Sequence, residues 1–237
     1  MNYSRGNILF IILIAIALFG ALSFAVSQSK TGTAKNMSGE KLTIKVDQLL
    51  EYAQNVRSAV NFIYTHNNIS ESDIRFAHPK LDAAYGDYTA LNSEQMVFDP
   101  SGGGIDYKPI DTGLLDGTHS AEPGYGTAYF TITSNVLDVG TTLQDLVMFV
   151  PYLSQEACAT INKKLGISDM PEDWASIDET NYITNMYDGT YPVWNGIGDD
   201  GYPFANLISG RLTICYRSDS HPVSTGSYNL MQVLLER

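Results

Sequence analysis

The chain has 237 residues, 44 % hydrophobic, 17 % charged and 11 % aromatic, with a formal net charge of -12. That length fits one domain or at most two, and so few charges beside so many aromatics exclude an intrinsically disordered chain. The acidic balance excludes a nucleic-acid partner, which needs a basic face, and two cysteines exclude a disulfide-stapled miniprotein or a four-cysteine metal site.

From Ile8 to Val26 the sequence runs without a charge. Nineteen helical residues at 1.5 Å each cover about 28 Å, close to the hydrocarbon thickness of a bilayer. Backbone groups in lipid must be satisfied internally, so the stretch reads as a helix. Three readings fit it. One is a plain single-pass anchor, and another a secretory signal cleaved near Ser23-Phe24-Ala25, although signal cores usually run about 7–15 residues. The third is a filament subunit whose apolar helix packs in a fibre core, with Ala15, Ala17, Gly20, Ala21 and Ser23 allowing close approach. Counting Arg5 on one side against Lys30, Lys35, Lys41 and Lys45 on the other, the positive-inside rule alone keeps the rest of the chain in the cytoplasm. A short basic region before an apolar run is itself an export signal, however, and points the other way.

Charge divides along the chain. Residues 1–66 carry six Lys/Arg against three Asp/Glu, and the remainder carry eight against 23. A mildly basic stalk therefore bears an acidic head that anionic lipid does not attract. Between Ser27 and Glu40, Gly32 and Gly39 predict a break or loosening of the helix. Leu42, Val46, Leu49, Ala53, Val56, Val60 and Ile63 then recur in steps of four and three, widened by Leu50, Ala59 and Phe62. This predicts an amphipathic helix laid on a sheet rather than a coiled-coil seam.

Beyond Asn68 short elements follow. Met96-Val97-Phe98 is strand-like and leads into a tight turn at Asp99–Gly104. Tyr129–Thr133 reads as a strand. Thr141 or Thr142 is placed to cap a short helix through Phe149, ended by Pro151. Ser154 caps a clearer helix with Ala157, Cys158, Ile161 and Leu165 inward and Gly166 as its stop. Residues 168–210 read as loop. Arg211–Arg217 and Tyr228–Leu235 alternate as strands, joined by a turn with Pro222 and Gly226. The expected fold class is α+β, with an N-terminal transmembrane helix and an amphipathic stalk helix on a mainly antiparallel sheet.

No catalytic constellation emerges, and the chain is not expected to be an enzyme. Cys158 and Cys215 can join helix to strand in an oxidising compartment, or remain two buried thiols. His66, His78, His119 and His221 lack metal-ligand spacing, and Ser218-Asp219-Ser220-His221 is too local for a hydrolase triad. Gly102–Gly104 can offer amides to an anion but reads as a structural turn. Asn195, Asp199 and Asp200, among glycines, form a weak calcium candidate lacking the regular ligand spacing of a calcium loop, and no other cofactor is expected. Trp174, Tyr182, Tyr187, Tyr191, Trp194 and Tyr202 either present an adhesive surface to a glycan or neighbouring subunit, or pin an irregular loop.

The leader Met1-Asn-Tyr-Ser-Arg-Gly6, abutting the apolar run, resembles the start of type IV pilins and pseudopilins. Leu9–Ser29, Met96–Gly104, Asp145–Ile167 and Tyr228–Arg237 also resemble an uncharacterised group of bacterial pilin-like proteins. The resemblance implies peptidase cleavage between Gly6 and Asn7, and it slightly favours calcium in the late loop. Asn7 stands where the mature chain usually begins with Phe, and Ile11 where it usually has Glu. Some minor, tip-located pseudopilins also lack that Glu. The implied organisation is a leader at 1–6, a transmembrane or filament-core helix at 7–29, a linker and stalk helix at 30–66, and a head at 67–237. The implied role is a structural subunit of a filament or secretion pseudopilus, a minor or tip subunit. Its partners would be copies of itself or related subunits, the inner membrane and the assembly machinery, with the head in the periplasm or in an extracellular filament. The alternative is a membrane-anchored periplasmic binding module using the aromatic loop.

Overall fold

The computed structural model describes residues 7–134, 136, 138–141, 143–168, 170, 172–173, 186–190, 209–218 and 226–237. The chain forms two compact units, Met1–Ile44 and Lys45–Arg237. Helix α1 (Asn7–His66) begins in the first and ends in the second. The break expected at 27–40 is absent. Two glycines cost about 1 kcal/mol each in a helix interior, too little to interrupt a run that holds no proline from Asn7 to His66.

In the second unit, the described residues form a five-stranded sheet of order β1-β2-β5-β4-β3. Its strands are β1 (Tyr129–Ser134), β2 (Asp145–Leu153), β3 (Glu172–Asp173), β4 (Thr213–Ser218) and β5 (Tyr228–Leu235). Four are antiparallel, and the two-residue β3 adds in parallel beside β4. Helix α2 (Gln155–Lys164) follows β2. The predicted strands at 129–133, 211–217 and 228–235 are all present, as is the helix opened by Ser154. Its hydroxyl accepts the Ala157 N–H at 3.2 Å, and Gly166 at φ 72° lets Ile167 N–H return to Asn162 O at 2.8 Å.

The short helix expected before Phe149 is instead strand β2. Every residue of β2 is buried, because it lies between β1 and β5 with both faces covered. Such a strand shows no alternation, and a continuous apolar run does not distinguish strand from helix. Pro151 falls where the β2–β5 register shifts between Val150 and Leu153, so its missing N–H breaks no ladder. Likewise, Met96 makes an isolated bridge to Arg75 instead of starting a strand.

Alternation sorts the remaining strands onto two faces. Tyr129, Val147, Phe149, Ile214, Tyr216, Met231 and Val233 pack into one cluster with Val136, Val139 and Ile167. On the other face Gln232 meets α1: Gln54 Nε2 donates to its Oε1 at 3.1 Å, and the Thr213 hydroxyl to the same oxygen at 2.6 Å. Val46, Leu49, Ala53, Val56, Ala59, Val60 and Ile63 of the α1 stripe are buried. Tyr52 joins them at 6 % exposure, whereas Phe62 stays 44 % exposed and stacks on His66. Leu42 and Leu50 are half-buried. The α1 face is further clamped by Asn61 Nδ2 donating to Leu234 O at 3.0 Å and by the Arg57–Glu236 ion pair at 2.5 Å.

Residues 70–120 contain short 3-10 turns around a second, aromatic core. Phe76 stacks on Phe130 at 4.2 Å between ring centroids, with Tyr85, Phe98 and Tyr187 at 6.0–6.5 Å from Phe76. Several acidic side chains of this unit are structural. Asp82, Asp87, Asp99, Asp111, Asp116 and Asp188 each accept a backbone N–H from two residues onward.

Asp145 differs from these, being fully buried. Its oxygens accept the N–H of Val136 at 2.8 Å and of Arg237 at 3.0 Å. Burial nevertheless prevails over these bonds and pushes its carboxyl up to about 6, with the Glu236 charge adding to the rise. A carboxyl raised on folding binds its proton more tightly when folded, so its stabilising contribution is complete below the unfolded value and lost as pH rises through the folded one. We expect the wild type to lose about 2–3 kcal/mol relative to Asp145→Asn between pH 4 and 7 in urea titrations of the full chain. Parallel stability profiles would contradict this.

Candidate functional site

The apolar run of α1 is the first candidate. Its described side chains, Ile12, Ile14, Ile16 and Leu18, are 45–67 % exposed. Among the described residues no helix is long and apolar enough to cross a membrane, and most side chains of the run at 8–26 lie outside those residues. Asn7 opens the helix, while Gly6, its partner in the expected cleavage, also lies outside.

The second candidate is the contact of α2 with β4. Cys158 and Cys215, both fully buried, form a disulfide-compatible pair with Cα atoms 5.4 Å apart. Asn162, one turn beyond Cys158 on the same helix face, is 2 % exposed. Its Nδ2 donates to Cys215 O at 2.7 Å, and its Oδ1 accepts from Cys215 N at 3.0 Å. The amide thus stands in for a neighbouring strand at the edge of β4. Its signal in the sequence is a polar residue four positions after the predicted inward cysteine.

A third feature is a cleft of about 400 Å³ between α1 and residues 108–114, bordered by Lys45, Gln48, Glu51, Tyr52, Lys108 and Asp111. Lys45 Nζ reaches Asp111 Oδ1 at 2.8 Å. That hydrogen bond, with the Gly113 N–H, holds the Asp111 carboxyl below the ordinary carboxylate range. The Tyr52 hydroxyl accepts from Lys108 N at 3.2 Å, and burial raises its phenol. The cleft offers mixed charge, with Lys45 and Asp111 paired and Glu51 and Lys108 also on its lining.

The remaining expected site residues are not gathered together. Tyr187 does not lie on an exposed adhesive surface: it is 1 % exposed, its hydroxyl donates to Glu71 O, and its N–H donates to Phe130 O at 2.9 Å. The Phe76 ring meets its ring edge-on at 6.0 Å between centroids while those bonds satisfy its polar groups, so Tyr187 anchors the 186–190 segment to the aromatic core. Trp174, Tyr182, Tyr191, Trp194 and Tyr202 lie outside the described residues, as do Asn195, Asp199 and Asp200. Among the described residues no group of three or more His, Cys, Asp or Glu is placed to hold a metal ion. His78 bonds Lys80 N through Nδ1 at 3.1 Å and His119 stacks on Tyr152, whereas His221 lies outside the described residues. Burial, then the Lys80 charge, keeps the His78 imidazole below its ordinary value.

The glycine turn is structural in detail. Gly102 and Gly104 N–H donate to Asp99 O, and Gly103 N–H to Met96 O, so all three amides are used. A Cβ on Gly102 would lie 2.1 Å from Met96 O and 2.6 Å from Ser93 O. Gly102→Ala is expected to cost about 2 kcal/mol or more by forcing backbone apart, measurable as a lowered urea midpoint. An unchanged midpoint would show that the turn relaxes freely.

No protein-family model matches this chain, and neither curated proteins nor solved structures provide a match.

Proposed function

We propose that the chain is a structural subunit of a pilin-like bacterial filament or secretion pseudopilus, a minor or tip subunit. One observation carries the reading: an uncharged run, Ile8–Val26, follows Arg5-Gly6-Asn7 and lies on a helix that extends to His66. Residues 7–29 hold the subunit in the inner membrane with the head in the periplasm, until the assembly machinery transfers it into a polymer. Transfer exchanges lipid contacts for helix–helix contacts, so it depends on close packing. Ala15, Ala17, Gly20, Ala21 and Ser23 favour that approach, and the disulfide-compatible pair suits an oxidising compartment. No substrate or catalytic group is assigned.

The test is the N-terminus of the protein recovered from cells, together with its presence in sheared surface fractions. Asn7 as first residue, and loss of surface material in Gly6→Lys at unchanged cellular level, are the expected results. An intact Met1 would support a plain anchor instead, and a start at Val26 or Ser27 a secreted protein.

A further inference from the structure

Beside the cysteine pair lies a third sulfur. Met170 Sδ stands 3.6 Å from Cys158 Sγ and 3.8 Å from Asn162 Nδ2. Whereas both cysteines are fully buried, Met170 is half-buried. It lines a recess of about 580 Å³ beside α2, with Ala159, Asn162, Lys163 and Ser168. Cys158 itself is not among the lining residues. Met96, Met148 and Met231, by contrast, are at most 2 % exposed.

We propose that Met170 guards the Cys158–Cys215 pair and is a site of oxidation by hydrogen peroxide. A thioether reacts according to its access, and Met170 combines access from the recess with contact on the disulfide. In the reaction a sulfur lone pair attacks one peroxide oxygen and the O–O bond breaks. The thioether becomes a sulfoxide by losing two electrons, and the second oxygen leaves as water after taking up a proton.

The product has a receptor already in place. Asn162 Nδ2 carries two hydrogens; one serves Cys215 O, and the amide also faces Met170 sulfur. A sulfoxide oxygen is a far better acceptor than a thioether, so the second hydrogen is available to hold it. Unoxidised, the same side chain fills the approach by which a reductant would reach Cys158.

Two measurements on the full chain test this. Under dilute hydrogen peroxide, peptide mass spectrometry should find Met170 sulfoxide forming about tenfold or more faster than sulfoxide at Met96, Met148 or Met231. In dithiothreitol, Met170→Ala should lose its disulfide about tenfold faster than wild type, while Met170→Leu, which retains the bulk without the reactive sulfur, should match wild type. Oxidation of Met170 no faster than that of the buried methionines would overturn the proposal. So would equal reduction rates for Met170→Ala and wild type, or a Met170→Leu rate as fast as that of Met170→Ala.

Discussion

Replacing both cysteines, as Cys158→Ala with Cys215→Ala, is expected to lower the unfolding free energy by about 4 kcal/mol, as is reducing the wild type. The pair closes a loop with a sequence separation of 57, and in the chain-entropy model that constraint on the unfolded chain is worth about this much. The folded contact should survive its loss. Ala157, Ile161 and Asn162 remain buried between α2 and the sheet, and the Asn162 amide retains both bonds to the Cys215 backbone. Urea midpoints should therefore fall together for the reduced wild type and the double variant, with near-ultraviolet circular dichroism of the folded states unchanged. Coincident oxidised and reduced unfolding curves would show that the pair does not constrain the chain.

Phe76→Ala is expected to cost about 3–5 kcal/mol, the usual range for a fully buried phenylalanine. Phe76 has no exposure, and its ring lies within 6.5 Å, centroid to centroid, of Tyr85, Phe98, Phe130 and Tyr187. Those residues come from the post-helix turns, strand β1 and the 186–190 segment, so one truncation opens a void shared by several elements. The comparison is Phe62→Ala. Phe62 is 44 % exposed, and its removal should shift stability by about 0.5 kcal/mol or less. Equal urea midpoints for the two variants would remove Phe76 from the centre of the core.

Local signals in the sequence proved legible where one rule acted alone. Ser154 and Gly166 bounded α2 because cap and stop chemistry depend on neighbours in the chain. β4 and β5 alternated clearly enough to be read as strands. Strand β2 was hidden by its burial on both faces, a property of its place in the sheet rather than of its residues. Tyr52 was missed because its hydroxyl is satisfied by the distant Lys108 N–H. Tyr187 and Phe76 meet across more than a hundred positions, and no periodicity announces such a contact. The candidate site divides in the same way. The cysteine pairing was visible from element types, but Asn162 and Met170 acquire meaning only from their surroundings.

The bonds from α1 to the C-terminal segment have a consequence for biogenesis. Gln54 with Gln232, Arg57 with Glu236 and Asn61 with Leu234 join positions 173–179 apart. A ribosome delivers the first partner of each pair long before the second, so the oily side of Val46–Ile63 must wait uncovered while most of the chain emerges. Such long-range closure slows folding, because loop entropy is lost before the contacts form. Nascent chains stalled ahead of Tyr228 should accordingly be the most protease-sensitive and the most dependent on holding chaperones.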